Sequence, residues 1–261
     1  MKKPLISIVI PSYNKAQFIG LTLDSILRQN YSDYEIIVQD GGSIDGTYDI
    51  VSKYAKRYPK IFRIESKDDG GQTNAVNIGL GKAKGKIVTY INADDIYLPK
   101  AFAEIAGAYI KHPEALWFAG RGRVIDNKSR EIAKFATWYK NLCLFLNHKS
   151  LLLILNYIMQ PSVFLTKNTY QKHGPFNGMS NGIIMEYGLW LKLSRISMPI
   201  VINKTLSAFR ISGGNISSIA YQQLLKEDGS IIKKFTKNRL ILFLHRFNNL
   251  LRVATIRAIN P

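Results

Sequence analysis

Residues 5–42 read "LISIVIPSYNKAQFIGLTLDSILRQNYSDYEIIVQDGG". The run from Leu5 to Tyr13 is apolar without alternation, the pattern of a strand covered on both faces. From Lys15 to Gln29 the apolar residues Phe18, Leu21, Leu23 and Ile26 follow a helical spacing, and Tyr34 to Gly42 returns to the strand pattern. Two strands buried on both faces and joined by a helix predict parallel pairing through a right-handed crossover.

The alternation continues to residue 95. "TYDIVSKYAKRY" (47–58) is helical, "IFRIES" (61–66) is a strand, "QTNAVNIGLGKA" (72–83) is helical and "KIVTYINADD" (86–95) is a fourth strand. The expected class is α/β, with a Rossmann-like, mainly parallel sheet flanked by helices. Such sheets take their ligands at the carboxyl ends of the strands. There the sequence places Pro11-Ser12-Tyr13-Asn14 after the first strand and Asp40-Gly41-Gly42-Ser43 after the second. Asp68-Asp69-Gly70-Gly71 follows the third, and Asn92-Ala93-Asp94-Asp95 ends the fourth. Each piece has a plain structural explanation, since Asp and Gly favour turns and Asp caps helices. Acids after three strands of one sheet point instead to a ligand held through a hard divalent cation, Mg²⁺ or Mn²⁺, because carboxylates are present and no Cys or His stands nearby.

The 261 residues are ample for a full core, and the single cysteine, Cys143, excludes a disulfide framework and suits a reducing compartment. The apolar start ends at Pro11 with no cleavage site, so it reads as a strand and not as a signal peptide. No stretch has the roughly 18 uninterrupted apolar residues of a membrane span. No P-loop and no G-x-G-x-x-G follows the first strand, which removes P-loop NTPases and ordinary dinucleotide enzymes. The net charge of +18 calls for a polyanionic partner. A nucleic-acid module would explain the charge but not the acidic rim, so nucleic acid is not an expected partner. A nucleotidyltransferase on a related sheet is an alternative, although "PSYNKAQF" lacks the glycine-rich basic loop it would bring.

The segments "SIVIPSYNKAQFIGLTLDSILRQNYSDYEIIVQDGGSIDGT", "ESKDDGGQTNAVNIGLGKAKGKIVTYINADD", "QPSVF" and "EYGLWLKLS", in this order, resemble the family 2 glycosyltransferases of the GT-A fold. The resemblance spans residues 4 to about 215. It implies a nucleotide-sugar donor, a glycan or lipid-linked acceptor, a Mn²⁺ or Mg²⁺ cofactor and inversion of the anomeric centre. Carried over by position, it puts Pro11, Asp40 and Asp69 around base and ribose, with Ser12, Tyr13, Asn14, Gly41, Gln72 and Asn74 beside them. Asn92, Ala93 and Asp94 take the place of the DxD motif, with Asp94 as metal ligand. The first acid of that motif is here the amide Asn92. Asp95 is a second ligand, an acceptor-orienting group or a helix cap. Glu186 stands where the family carries its catalytic base, although a Glu at a helix start also suits the helix dipole. Arg210, in "AFRISGGN", is a candidate diphosphate contact or a simple ion-pair partner.

Residues 1–225 are expected to form the catalytic domain, 1–115 holding the nucleotide and 116–225 facing the acceptor. Within the second half, "WYKNLCLFLNHKSLLLILNYIM" is either two core helices or a surface that meets lipid. The tail, 226–261, is a basic amphipathic helix. After Asp228 it has seven Lys or Arg and no acid, and Leu240, Phe243, Leu244, Phe247, Leu250, Leu251 and Ala254 form one apolar stripe. That pattern suits an anionic membrane, placing the protein at the cytoplasmic membrane face, or alternatively a helix pairing two copies as a homodimer.

Overall fold

A computed structural model of the protein describes residues 3–177, 185–211 and 221–259. Its first half is the expected alternation of β1 (Ile6–Ser12), α1 (Ala16–Leu27), β2 (Tyr34–Asp40), α2 (Thr47–Arg57), β3 (Phe62–Ser66), α3 (Gln72–Lys82) and β4 (Ile87–Tyr90). β1 pairs in parallel with β2 on one side and β4 on the other, and β3 lies parallel to β2. Both β1 and β2 are buried throughout, which is why neither sequence alternates. Successive residues of β1 feed two cores. Ile6, Ile8 and Ile10 pack with Ile19, Leu23 and Ile26 of α1, and Val9 packs with Val76 and Leu80 of α3.

After β4 follow β5 (Ile96–Tyr97), α4 (Ala101–Lys111), β6 (Trp117–Ile125), β7 (Glu131–Ile132), α5 (Lys134–Leu146) and α6 (Lys149–Ile154). A 3-10 turn at Gln160–Ser162 leads into β8 (Val163–Thr166), α7 (Lys167–His173), α8 (Tyr187–Ser194), β9 (Ile200–Arg210), α9 (Tyr221–Lys233) and α10 (Arg239–Ile259). The sheet order is β3-β2-β1-β4-β8-β6-β9-β5, with β7 added to β6. Parallel pairing is therefore complete among β1 to β4, while the far half is mixed: β8 is antiparallel to β4 and β6, and β9 runs parallel to β6 but antiparallel to β5.

Three expectations shift. The fourth strand ends at Tyr90 and not at residue 95, because the polar residues beyond it bond within a turn, Asp95 N–H donating to the Asn92 carbonyl at 3.1 Å. Leu21 of α1 is exposed and Thr22 is buried in its stead, since the Thr22 hydroxyl donates to the Asp95 carbonyl at 2.7 Å. The boundary drawn at residue 226 falls inside α9, and the helix after it is packed into the molecule through its polar side. His245 and Arg252 of α10 lie 3.3 and 3.4 Å from the carboxylate of Asp228, which is buried, and His245 stacks parallel to Tyr187 at 6.2 Å. Ala254 and Arg257 lie outside the side chains described.

α3 comes close to β1 at Gly79, where an added Cβ would stand 2.3 Å from Val9 Cγ1. Gly79→Val forces that contact apart and is expected to cost about 1–3 kcal/mol. A chemical melt of the variant shows this as a lower midpoint with an unchanged slope.

Candidate active site

Asp40 closes β2 and is the hub of the first strand ends. Its Oδ1 accepts from the Ser12 and Ser43 hydroxyls at 2.8 and 2.6 Å, and its Oδ2 accepts from Ser43 N and the Ser66 hydroxyl at 2.9 and 2.6 Å. A carboxylate has about four acceptor positions, and all are used. Burial alone would raise the pKa of Asp40, but these bonds outweigh it and hold the group below its ordinary value. Its oxygens tie together the loops after β1, β2 and β3. Asp45 is spent similarly, on Thr47 and on Ala16 N at the start of α1.

Beside this hub Tyr13, Gly41 and Asp69 come together. Pro11 and Ser12 are buried, and the Tyr13 ring is 62% exposed. A Cβ on Gly41 would be 3.3–3.4 Å from both Asp69 oxygens and from Tyr13 Cδ2, so the bare glycine lets an aromatic face and a carboxylate converge. Asn14, at φ +49°, donates its N–H to Ser43 and accepts from Ile44 N through its side chain. Of the Asp69 oxygens, Oδ1 accepts from Gly71 N at 2.9 Å and Oδ2 accepts nothing from the described residues. Burial, helped by Asp68 and Asp40, pushes the Asp69 pKa up. Asn74 is exposed, its amide nitrogen beside Gly70.

The turn after β4 divides the adjacent acids. Asp94 Oδ2 receives the Lys15 ammonium at 2.8 Å, while its Oδ1 accepts nothing from the described residues. Asp95 has no exposed surface; its Oδ1 accepts from Arg210 N at 2.8 Å and its Oδ2 from Asn92 Nδ2 at 3.2 Å. Burial, with the neighbouring Asp94 charge, pushes the Asp95 pKa well up. Both Asp95 oxygens are thus held by the protein itself. Asp95 does not cap α4, which begins six residues later at Ala101 behind Lys100. Arg210 is also fully buried. Its Nε donates to the Asp94 carbonyl at 2.7 Å, its NH1 to the Asp126 carbonyl at 2.7 Å, and its guanidinium lies over Phe18 at 5.0 Å. It holds backbone on two sides, and NH1 also reaches the Ser129 hydroxyl at 3.1 Å. Asn92 bridges Gln72 Nε2, 2.6 Å from its Oδ1, to Asp95, and Ala93 is buried between them. An acid at position 92 would give Asp95 no donor and set two carboxylates side by side.

Glu186 precedes α8 without capping it; its Oε1 accepts from the Tyr90 hydroxyl at 2.6 Å. Tyr90 is the last residue of β4, four before Asp94. Burial raises the Glu186 pKa, and the Tyr90 hydrogen bond and the charge of Lys140 oppose it less strongly. The Tyr90 phenol, buried beside an acid, is pushed well up and stays a donor. Lys140 of α5 is brought down to about 8, chiefly by burial.

The sequence profile described as glycosyl transferase family 2 matches residues 7–172. The chain belongs to that family. An uncharacterised glycosyltransferase of Rickettsia prowazekii is 30% identical over 255 residues, covering 92% of this chain and 75% of its relative. Among solved structures, the mannosyltransferase PcManGT of Pyrobaculum calidifontis, in complex with GDP-Man and Mn²⁺, superposes with a TM-score of 0.69 at 18% identity. That match covers 99% of this chain and 74% of the other. S. aureus TarS with UDP-GlcNAc gives 0.64 at 17% identity, over 97% and 72%. The sheet of this family 2 glycosyltransferase, flanked by helices, is the GT-A fold.

Two residues that touch the candidate site were not singled out in the sequence, Lys15 at Asp94 and Tyr90 at Glu186. Lys15 sits one residue beyond the rim motif "PSYN", and Tyr90 hid in a strand as an apparent core aromatic. Among the described residues no three His, Cys, Asp or Glu side chains gather as a metal cage. A hard cation that keeps phosphate and water ligands needs only one or two carboxylates, and Asp94 with its unoccupied Oδ1 fits that role.

The Asp40 hub makes a prediction separable from chemistry. Asp40→Ala leaves the three serines without their acceptor and is expected to cost at least about 2 kcal/mol, a fall in Tm of roughly 4–8 °C. Because the folded carboxylate titrates below its ordinary 3.8, its contribution is complete near neutrality and is lost as pH falls through that range. The Tm gap between wild type and variant should therefore narrow in acid.

Proposed function

We propose that this glycosyltransferase moves a sugar from a UDP-sugar to a hydroxyl of a glycan or lipid-linked acceptor, with inversion at the anomeric carbon and with Glu186 as general base. One observation carries the reading: a carboxylate placed at a helix start spends itself not on the helix but on Tyr90, at the end of the strand that leads to Asp94. Burial moves the Glu186 pKa upward, the direction in which a carboxylate becomes a better general base. The donor class is supported by the solved neighbours, one holding UDP-GlcNAc and another GDP-Man.

In the reaction the acceptor oxygen bonds to the anomeric carbon on the face opposite the diphosphate. The bond from that carbon to the diphosphate oxygen breaks, and the acceptor proton passes to the Glu186 carboxylate. The nucleoside diphosphate leaves with the electron pair. Lys15, held at Asp94, is the chain's own cation for that growing charge. Mn²⁺ or Mg²⁺ at Asp94 would add Lewis-acid stabilisation of the same leaving group. Tyr13, Gly41 and Asp69 come together at a place suited to the nucleoside's base and ribose, and Tyr90 orients Glu186.

Nucleotide release should be fastest with a UDP-sugar among a panel of nucleotide sugars; preference for GDP-sugars would overturn the choice of nucleotide. Glu186→Gln is expected to lower kcat about 10²- to 10⁴-fold with UDP affinity unchanged, and equal loss of affinity would remove Glu186 as base. Tyr90→Phe deletes a bond that lowers the Glu186 pKa. The acid limb of its kcat profile should therefore move to higher pH, whereas a purely packing role for Tyr90 would leave that limb in place.

A further inference from the structure

Two helices turn rows of large apolar side chains away from the body of the protein. On α5, Phe135, Trp138, Tyr139, Leu142, Phe145 and Leu146 recur at intervals of three and four and are all exposed, Phe135 by 77% and Trp138 by 59%, while Thr137, Cys143 and Leu144 on the opposite side are buried. On α10 the exposed row is Leu240, Phe243, Phe247, Leu250 and Leu251, and the buried side is His245, Asn249 and Val253. An amphipathic helix of a water-soluble body ordinarily does the reverse and buries its apolar face. Here the polar side of α10 is already committed to Asp228 and Tyr187, so the apolar row is left for something outside.

The two helices lie near one another through their inner sides. α6 follows α5 directly, and His245 Nδ1 of α10 meets the Ile154 carbonyl of α6 at 3.1 Å. The Lys140 ammonium on the inner side of α5 feels the charges of Asp228 and Arg252. The charge of these segments identifies the occupant. No Asp or Glu occurs between Glu131 and Glu186 or after Asp228, and the cations Lys134, Lys149, Lys234, Lys237, Arg239 and Arg246 are exposed. A second copy of the chain would set one acid-free face against another. An anionic bilayer complements both the charge and the apolar rows. No helix among the described residues is long and apolar enough to cross a membrane, so the contact is with its surface.

We propose that α5 and α10 together form a docking face for an anionic lipid bilayer. Their aromatic and aliphatic rows enter the boundary between headgroups and acyl chains, and the flanking Lys and Arg meet lipid phosphates. Because His245 of α10 stacks on Tyr187, next to Glu186, the docked helix and the proposed base share one packing unit.

Vesicle flotation of the full chain, with no donor or acceptor present, tests this independently of the sugar chemistry. The protein should float with vesicles of equimolar phosphatidylcholine and phosphatidylglycerol, far less with phosphatidylcholine alone, and less as salt rises. Two triple variants, Phe135→Gln/Trp138→Gln/Phe145→Gln on α5 and Phe243→Gln/Phe247→Gln/Leu250→Gln on α10, should each lower the partition coefficient at least about tenfold. Their Tm should hold, since every substituted side chain is exposed. The proposal is overturned if the wild type ignores the anionic vesicles, or if either triple variant floats as well as wild type. It is equally overturned if the variants convert a dimer into a monomer with lipid binding intact, which would assign the face to a second copy.

Discussion

The reciprocal hold between Asp95 and Arg210 is the constraint on which the site depends. Asp95 takes the Arg210 N–H at 2.8 Å, and the Arg210 side chain returns to the Asp94 carbonyl at 2.7 Å and reaches the Asp126 carbonyl after β6. β4, β6 and β9 are thereby joined at one point, and with them the two halves of the sheet. Neither residue has exposed surface, so removing either side chain leaves buried backbone groups without a partner, a loss of about 1–3 kcal/mol for each. With its backbone fixed in this way, Asp94 has its direction set, and Lys15 meets it from the start of α1.

A division between holding and reacting runs through the whole rim. Asp40 and Asp95 spend every oxygen on the protein, whereas Asp69 and Asp94 each keep one oxygen that no described residue uses. Glu186 belongs to the second group by chemistry: it accepts from Tyr90 on one oxygen and is half-buried where burial favours its protonated form. Preorganised donors around a few uncommitted acceptors are what a site needs to act on a charged leaving group without rearranging.

Most of the fold was legible because β1 and β2 are buried on both faces and their sequences say so without alternation. The region of the site was legible too, since strand ends in an α/β sheet are defined by where apolar runs stop. The division of labour inside it was not. Asp94 and Asp95 are adjacent and chemically identical, and only the arrival of Arg210 from a strand more than a hundred residues later separates them. The Asp40 hub depends on serines from three loops in the same way. Periodicity correctly placed an apolar stripe on α10 but carries no sign, and it was the buried Asp228 that turned the polar side inward.

The most direct test compares two neighbouring isosteric changes, Asp94→Asn and Asp95→Asn, for Tm and for UDP affinity by calorimetry. Asp94→Asn should keep the wild-type Tm and lose most of the affinity measured with Mn²⁺, because the altered group faces the ligand. Asp95→Asn should lower Tm clearly, because both buried oxygens accept, from Arg210 N and Asn92 Nδ2, and the new amide turns a donor onto one of those donors. If Asp94→Asn melts as low as Asp95→Asn while binding UDP normally, the separation of a ligand-facing acid from a structural one is wrong.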